Sequence, residues 1–401
     1  MRTSLLALAL LAASLAAQED AAPRWYKGNL HTHSLWSDGN DLPDSIAAWY
    51  KDHGYHFLAL SDHNVLSRGK RWMDLADVEK RGGKEALARC RARFGEDWVE
   101  VRTRDGKEQV RLKPLDEFRP KLEEAGKFLL IEGEEITDRF GKLPVHMNAT
   151  NLAEPVAPQG GESVQDVMRR IIDVVMAQRK KTGRAILIHL NHPNFGWGVT
   201  AEDLAAVVEE RFYEVYNGHP GVNHRGDATR PSVERIWDVA NTIRLEDLKA
   251  PPLFGLGTDD SHNYFSAEGS TPGRGWVMVR TSELSPDAIV AAIEAGDFYA
   301  SSGVELSDVR FDAAGQTLAV EVAVREGVEY AIEFIGTNEG GDAGQVLSRI
   351  EGARATYTLT GKELYVRAVV TASVAPENPS FEGQRAQAWT QPVGWDARVG
   401  R

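Results

Sequence analysis

Short apolar runs alternate with amphipathic stretches from residue 28 to about residue 303, and this alternation limits the possible folds. Residues 163–183 have helical periodicity, with a serine that can cap the start and a glycine that can end the helix. Strands that alternate with helices predict a parallel sheet with right-handed crossovers. About seven such units favour a barrel over an open sheet. The runs that predict buried strands include FLALSDH (57–63), FLLIEGEE (128–135), AILIHLNH (185–192), FYEVYNG (212–218) and PLFGLGTDD (252–260).

Two segments depart from this alternation. Residues from about 65 to 125 contain a helix-like stretch and a hairpin that turns at Asp105-Gly106, which predicts an insertion after the second strand. The insertion is either a lid over the barrel mouth or a surface addition. Residues 304–401 alternate apolar and polar positions between turn residues, which predicts an antiparallel β-sandwich. The expected fold is α/β: a seven-unit barrel over 23–303, followed by a small all-β domain.

The first 17 residues have the pattern of a secretory signal peptide. Arg2 supplies the positive end, and the apolar stretch from Leu5 to Leu15 is short for a membrane span. We therefore expect a soluble exported protein, periplasmic or extracellular, with no membrane span after cleavage. The single cysteine, Cys90, cannot form an internal disulfide. A formal net charge of −13 over 401 residues argues against nucleic acid as a partner and leaves a small-molecule substrate.

Histidines and carboxylates recur where the apolar runs end. In GNLHTHSLWSDG (28–39), His31 and His33 share one face of an extended chain because side chains two residues apart point the same way. A parallel barrel builds its active site at the carboxyl ends of its strands, which is where the other clusters lie. The spacing within GEE favours Glu135 over Glu134 as a ligand. The nine candidate metal ligands are His31, His33, Asp38, His63, Glu135, His146, His192, Asp260 and His262.

The donor types narrow the choice of metal. Imidazole nitrogen mixed with carboxylate oxygen, without thiolate, suits Zn, Mn or Fe(II), and Zn is the default expectation. Nine ligands exceed what one tetrahedral or octahedral ion uses, so two to three divalent ions are predicted. Glu135 can bridge two of them.

The motifs HTH (31–33), SDG (37–39), SDHN (61–64), GEE (133–135), NHP (191–193) and TDDSH (258–262) resemble those of the PHP (polymerase and histidinol phosphatase) family. The resemblance covers about residues 25–303 and implies a distorted (βα)7 barrel with a two- or three-metal site. The C-terminal segment is similar to the carbaryl-hydrolase-like branch. The implied ligand sets are His31, His33, Glu135 and Asp260 for one ion, Glu135, His146 and His192 for a second, and Asp38, His63 and His262 for a third. Asp38 stands where histidinol phosphatases often have histidine.

Six neighbouring residues are candidates for supporting roles. Asp62 and Asp259 adjoin predicted ligands and either orient histidines or make loop hydrogen bonds. Trp197 either lines the pocket or packs, and His219 either contacts substrate or belongs to its loop. Basic groups beside the metals would favour an anionic substrate, and the candidates with a loop position after the sixth strand are Arg225 and Arg230.

The expected activity is hydrolysis by a metal-bridged hydroxide held by Glu135 and Asp260, with no protein nucleophile, since GxSxG is absent. Phosphoester hydrolysis leads because the resemblance implies phosphoryl chemistry. Hydrolysis of a carbamate, ester or amide is the alternative that the branch resemblance implies. A binding protein that retains a metal-containing barrel is the third possibility.

Overall fold

The structure, a computed structural model, describes residues 22–399. The predicted signal peptide at 1–17 lies outside the described residues. Among the helices of residues 22–399, none combines the length and the apolar character needed to cross a bilayer.

Residues 22–303 contain twelve strands and eight α-helices. The strands are β1 (Arg24–Asn29), β2 (Phe57–Leu60), β3 (Arg71–Asp74), β4 (Val101–Arg104), β5 (Lys107–Leu112), β6 (Leu129–Phe140), β7 (Leu143–Thr150), β8 (Leu187–Leu190), β9 (Phe212–Asn217), β10 (Phe254–Thr258), β11 (Trp276–Thr281) and β12 (Phe298–Ser301). The helices are α1 (Pro43–Asp52), α2 (Leu75–Gly82), α3 (Ala86–Phe94), α4 (Leu115–Leu122), α5 (Val164–Thr182), α6 (Ala201–Ala206), α7 (Val233–Glu246) and α8 (Pro286–Glu294). The predicted strands and helices of this region are present.

Seven strands lie side by side in the order β10-β9-β8-β7-β6-β2-β1. The pairs β1/β2, β2/β6, β8/β9 and β9/β10 are parallel, as predicted. The strand β7 runs antiparallel to both β6 and β8, so the expectation of a wholly parallel sheet is wrong at this point. The physical reason is the connection: only Gly141 and Lys142 separate β6 from β7, and a parallel crossover needs a dozen residues or more.

The two ends of this seven-strand run meet beyond the carboxyl ends of β1 and β10. The amide of His33 donates to Ser261 O at 3.0 Å, and the amide of Asp260 donates to His31 O at 3.1 Å. On its other side β1 pairs antiparallel with β11, which leads to β12. The architecture is therefore mixed α/β, and a regular (βα)7 barrel is not confirmed.

Local sequence signals explain the longest helix, α5. The hydroxyl of Ser163 accepts the Asp166 amide at the start, and Gly183 takes a left-handed φ of 72° at the end, where a side chain would be strained. Its apolar face, which includes Val167 and Ile171, is fully buried against the sheet. Helix α5 thus lies in the connection between the antiparallel strands β7 and β8.

The insertion folds as a small unit on the first loop of the sheet. Its strands form an antiparallel sheet in the order β3-β5-β4, and the β4–β5 turn at Asp105 and Gly106 is the hairpin predicted from the sequence. Val110 and Leu112 pack with Trp36, whose indole NH donates to Lys113 O. The insertion therefore supports the loop that carries the HTH motif.

The C-terminal strands form two antiparallel layers. They are β13 (Leu306–Asp312), β14 (Thr317–Val322), β15 (Tyr330–Asn338), β16 (Gln345–Glu351), β17 (Arg354–Thr358), β18 (Glu363–Ala372) and β19 (Gln387–Thr390). One layer is β13-β14-β17, and the other, β19-β18-β15-β16, continues hydrogen bonding from β12. Buried residues such as Val320, Phe334 and Ala368 share one apolar cluster between the layers. The sheet thus passes through the predicted boundary at 303 without interruption.

Candidate metal centre

All nine predicted ligands lie together where the seven strands end. They form four overlapping groups of three or four side chains, in which one nitrogen or oxygen of each lies within 4.8 Å of the others. The groups share His31, His33, His192 and Glu135, so they constitute one continuous centre rather than separate sites.

Four ligands, called the first group below, face one another at the base of the centre: His31, His33, Glu135 and Asp260. His31 Nε2 lies 3.3 Å from both Glu135 Oε2 and Asp260 Oδ1. His33 Nε2 lies 3.2 Å from the same two oxygens. His31 Nε2, His33 Nε2 and Glu135 Oε2 are buried and have no hydrogen-bond partner within residues 22–399. Buried polar atoms are ordinarily paired, so this arrangement is chemically incomplete. Two imidazole nitrogens and two carboxylate oxygens around a common point fit a divalent cation.

Glu214 orients the first of these histidines, and the sequence analysis missed it. Its Oε1 lies 2.7 Å from His31 Nδ1, and the carboxylate is fully buried on β9. A carboxylate on the second ring nitrogen holds the proton at Nδ1 and leaves the Nε2 lone pair free for a metal. A glutamate in the apolar strand FYEVYN was the available signal, since glutamate is rarely buried without a partner.

The electrostatics of the centre follow from this crowding. Burial disfavours charge on His31, but the carboxylates of Asp260, Glu214 and Glu135 outweigh it and raise the pKa of His31 well above its ordinary value. Burial likewise opposes ionisation of Glu135 and Asp260, but the imidazoles around them hold the pKa of each carboxyl well below its ordinary value. The ionised carboxylates of the site therefore stabilise positive charge between them. Protonated histidines supply that charge in the metal-free protein, and a bound cation would supply it in the loaded protein.

A second group surrounds the other oxygen of Glu135. His146 Nδ1 lies 2.9 Å from Glu135 Oε1, and His192 Nε2 lies 3.5 Å from it. The side-chain NH₂ group of Asn191 donates to the same oxygen at 2.9 Å. Because its two oxygens face different groups, Glu135 has the placement of the bridging carboxylate that the sequence analysis predicted.

The third group gathers around Asp38 at the solvent side. Asp38 Oδ2 lies 3.4 Å from His63 Nε2, and Asp38 Oδ1 lies 3.3 Å from His262 Nε2. The ring of His33 stacks on that of His262 with centroids 4.1 Å apart. His33 thus lies between the first and third groups. The side chain of Asp38 is 57% exposed, in contrast to the buried ligands of the first group.

The backbone around the centre is held by the two aspartates that precede ligands. Asp62 accepts hydrogen bonds from the Ser34 amide and hydroxyl and from the Ser37 hydroxyl. Asp259 accepts the amides of residues 273–275. Among the described residues neither aspartate bonds to a histidine, so the loop alternative, rather than the orienting one, matches their contacts. Asp260 itself has a φ of 48°, a conformation seldom taken by residues with side chains and frequent at functional sites.

Of the four remaining candidates for supporting roles, His219 lies near the centre. Trp197, Arg225 and Arg230 contact residues that are not candidate ligands. The ring of His219 lies 5.5 Å from that of His262, centroid to centroid. Arg225 donates to Glu382 O and lies over the Phe381 ring, at the C-terminal segment. Arg230 lies over Trp197 at 4.4 Å and 3.9 Å from Asp227. The predicted role of the two arginines beside the metals has no supporting contact within residues 22–399.

Similarity to known proteins is confined to distant structural resemblance. No family model matches the chain, and no curated protein sequence matches it. A two-domain protein of Bacteroides vulgatus ATCC 8482, described as containing a predicted PHP-like metal-dependent phosphoesterase, is 16% identical with a TM-score of 0.41, over 92% of this chain and 96% of that one. A candidate metal-dependent phosphoesterase of Bifidobacterium adolescentis ATCC 15703 is 14% identical with a TM-score of 0.33, over 62% and 92%. Both similarities are low, so the functional argument rests on the chain's own site.

Proposed function

We propose that this protein is a multinuclear metal-dependent hydrolase of the PHP type that acts on phosphoesters. The proposal rests on three buried atoms without hydrogen-bond partners within residues 22–399, which are His31 Nε2, His33 Nε2 and Glu135 Oε2. Asp260 Oδ1 lies 3.2–3.3 Å from the two histidine nitrogens and is the fourth donor. Four such donors without thiolate suit Zn, with Mn or Fe(II) as further candidates. We place two to three ions in the centre, with Glu135 between the first and second groups.

Divalent ions bound there would supply Lewis-acid activation of water and of a phosphoryl oxygen. The chain's own residues supply the rest. Glu214 holds the tautomer of His31, and Asn191 fixes the oxygen of Glu135 that faces the second group. The first group is buried, whereas Asp38 of the third group is exposed and His146 of the second group is partly exposed. Substrate therefore approaches from the side of Asp38 and His146.

His219 is the candidate hydrogen-bond donor to a phosphoryl or leaving-group oxygen. Its Nδ1 accepts the Gly221 amide at 2.9 Å, so the proton of the neutral ring resides on Nε2. Burial lowers the pKa of His219, partly opposed by the carboxylate of Asp260. A neutral ring with a donor nitrogen beside the third group can hydrogen-bond to a phosphoryl or leaving-group oxygen.

The same proposal includes export of the protein and its place within the PHP-type hydrolases. We propose export with cleavage near residue 17, on the pattern of the N-terminal sequence. Placement in the carbaryl-hydrolase-like branch, and a β-sandwich domain after residue 303, belong to the same proposal. Their support is the C-terminal sequence together with the two strand layers.

The test combines metal content with substrate choice. Protein reconstituted with Zn or Mn should contain two to three ions per chain by elemental analysis and should cleave a 4-nitrophenyl phosphodiester. We expect kcat/KM for the phosphoester to exceed that for the 4-nitrophenyl carbamate by at least about tenfold, a transition-state difference of about 1.4 kcal/mol. Faster carbamate cleavage would transfer the assignment to the carbamate alternative. Full metal occupancy without turnover of either ester would support a binding protein.

A further inference from the structure

The β6–β7 hairpin extends from the candidate metal centre to two exposed cations, Arg139 on β6 and Lys142 in the turn. Side chains alternate along a strand, so Glu135, Thr137 and Arg139 lie on one face of β6. Thr137 is the register partner of His146 on β7, and its hydroxyl contacts His63. At about 3.4 Å per residue, Arg139 lies roughly 7 Å beyond Thr137 along the strand, on the solvent side. Lys142 follows in the turn.

A cavity of about 660 Å³ joins this face to the centre. Its lining includes Thr137, the candidate ligand His146, and the two cations Arg139 and Lys142. A substrate held by the second group of ligands can therefore extend into the same cavity and reach both cations. The pocket is large enough for a small organic group.

The two cations are free to bind an anion. Within residues 22–399, the side chains of Arg139 and Lys142 make no ion pair and no hydrogen bond, and both residues are exposed. The carboxylate that shares the cavity, Asp138, already accepts the amides of Gln159 and Gly160 at 2.7 Å each. This contrasts with Arg225 and Arg230, whose guanidinium groups contact other parts of the chain.

The loop after β8 holds the hairpin in place and contributes Gly196 to the lining of the same cavity. A Cβ on Gly198 would lie 2.0 Å from Pro144 O, and one on Gly196 would lie 3.0 Å from the Pro144 ring. Only glycine permits so close a contact between this loop and β7. Arg139 and Lys142 are consequently carried on a hairpin whose position relative to His146 is fixed.

We infer that Arg139 and Lys142 form a subsite for a second anionic group of the substrate, a carboxylate or a phosphate, separated by a short spacer from the phosphoryl group at the metal centre. The inference rests on the proposed function, and it narrows the substrate class to phosphoesters with a further acidic group. Guanidinium and ammonium groups recognise carboxylate and phosphate through charge-assisted hydrogen bonds.

Calorimetric binding to the full-length zinc-loaded protein tests this inference without requiring turnover. The probes are benzylphosphonate, 4-carboxybenzylphosphonate and 1,4-xylylenediphosphonate, which share one phosphonate and differ in the distal group. We expect at least one distal anion to improve the dissociation constant about tenfold over benzylphosphonate. Arg139→Ala and Lys142→Ala should each reduce this preference, and the double variant should abolish it. Lys362→Ala, which removes an exposed cation from the loop directly before β18, should preserve it.

The outcomes separate this inference from the proposed function. Equal binding of all three probes to the wild-type protein, or a preference that persists in the double variant, would overturn the subsite. Loss of the preference in the double variant supports it, whether or not 4-nitrophenyl phosphoesters are cleaved. If the preference depends on the two cations but no phosphoester is hydrolysed, the subsite stands and the assigned reaction fails.

Discussion

Replacement of Glu214 by glutamine should weaken metal binding although Glu214 is not itself a candidate ligand. The carboxylate lies within hydrogen-bond distance of four donors. Thr258 Oγ1 and His31 Nδ1 face Oε1, and the His192 amide and Asn217 Nδ2 face Oε2. The His192 amide and the Asn217 NH₂ group can only donate, so the position of Oε2 must remain an acceptor. A glutamine NH₂ group could therefore take only the position of Oε1, which faces His31 Nδ1, Thr258 Oγ1 and, at 3.6 Å, His189 Nε2. Glu214→Gln therefore changes the hydrogen bonding of the site at nearly constant volume.

Both orientations of the new amide are unfavourable. If its nitrogen faces the His192 amide, two donors oppose each other, and a backbone NH cannot reverse its role. If its nitrogen faces His31 Nδ1, the ring must accept there and carry its proton on Nε2, the atom that faces Glu135 and Asp260. Loss of an orienting carboxylate typically lowers metal affinity by about 10–100-fold, or about 1.4–2.7 kcal/mol. We expect a result near the upper end.

The assay is competition for zinc between the protein and a chromophoric chelator at pH 7.5. Glu210→Gln is the matched control because Glu210 is also a fully buried glutamate, two residues before β9. Within the described part of the chain, Glu210 accepts only the backbone amides of Arg211 and Phe212 and forms no hydrogen bond or ion pair with a candidate ligand. Its substitution should leave zinc affinity unchanged. A Glu214→Gln affinity within about twofold of the wild type, in a folded protein, would refute the orienting role.

Three further predictions concern ion number, pH and packing. Asp38→Asn should lower zinc content by about one ion per chain, with the first group still loaded, because Asp38 faces His63 and His262 and approaches His33 only at Nδ1, not at the Nε2 that faces Glu135 and Asp260; unchanged content by elemental analysis would contradict the third site. Burial raises the pKa of Glu210 from 4.5 to about 8, so the unfolded chain ionises first and the penalty on the fold grows between pH 4.5 and 8. Glu210→Gln should therefore gain about 3 kcal/mol in unfolding free energy relative to wild type between pH 4.5 and 7, measured by urea denaturation of the metal-free protein, and a pH-independent difference would exclude this explanation. Arg367→Ala should lower the unfolding free energy by about 3–5 kcal/mol, since it leaves Asp238 buried without the guanidinium that now lies 2.8 Å away, and a loss below about 1 kcal/mol would show that solvent replaces the pair.

The sequence alone located the nine candidate ligands. Most of them follow an apolar run, and parallel strands place their carboxyl ends at the same edge, so position along the chain predicts their proximity in space. His146 is the exception, because it lies within the antiparallel strand β7 and comes to the centre through the pairing of β7 with β6. The spacing of His31 and His33 adds a local constraint, since an extended chain directs both rings to one face. One observed group is the predicted set of Glu135, His146 and His192, and another is the predicted set around Asp38 with His33 added. The members of the remaining predicted set are divided between two observed groups, one of which also contains His192.

The strand direction around β7 could not be predicted from alternation, although the short interval between β6 and β7 carried the information. FLLIEGEE and LPVHMNAT are near neighbours in sequence, with too few residues between them for a crossover. This reversal has a functional consequence, because it brings Thr137 opposite His146 and carries Arg139 and Lys142 into the cavity beside the centre.

Long-range pairing decided the roles of the supporting residues. Glu214 and His31 are 183 positions apart, and no local pattern indicates that their side chains meet. Arg225 and Arg230 follow the sixth predicted strand, which made them candidates, but the folded chain directs them to Phe381 and Trp197. Metal ligands are predictable because the end of each strand sets their position. The residues that orient ligands or bind substrate depend on side-chain direction and on distant partners, which are established only when the chain packs.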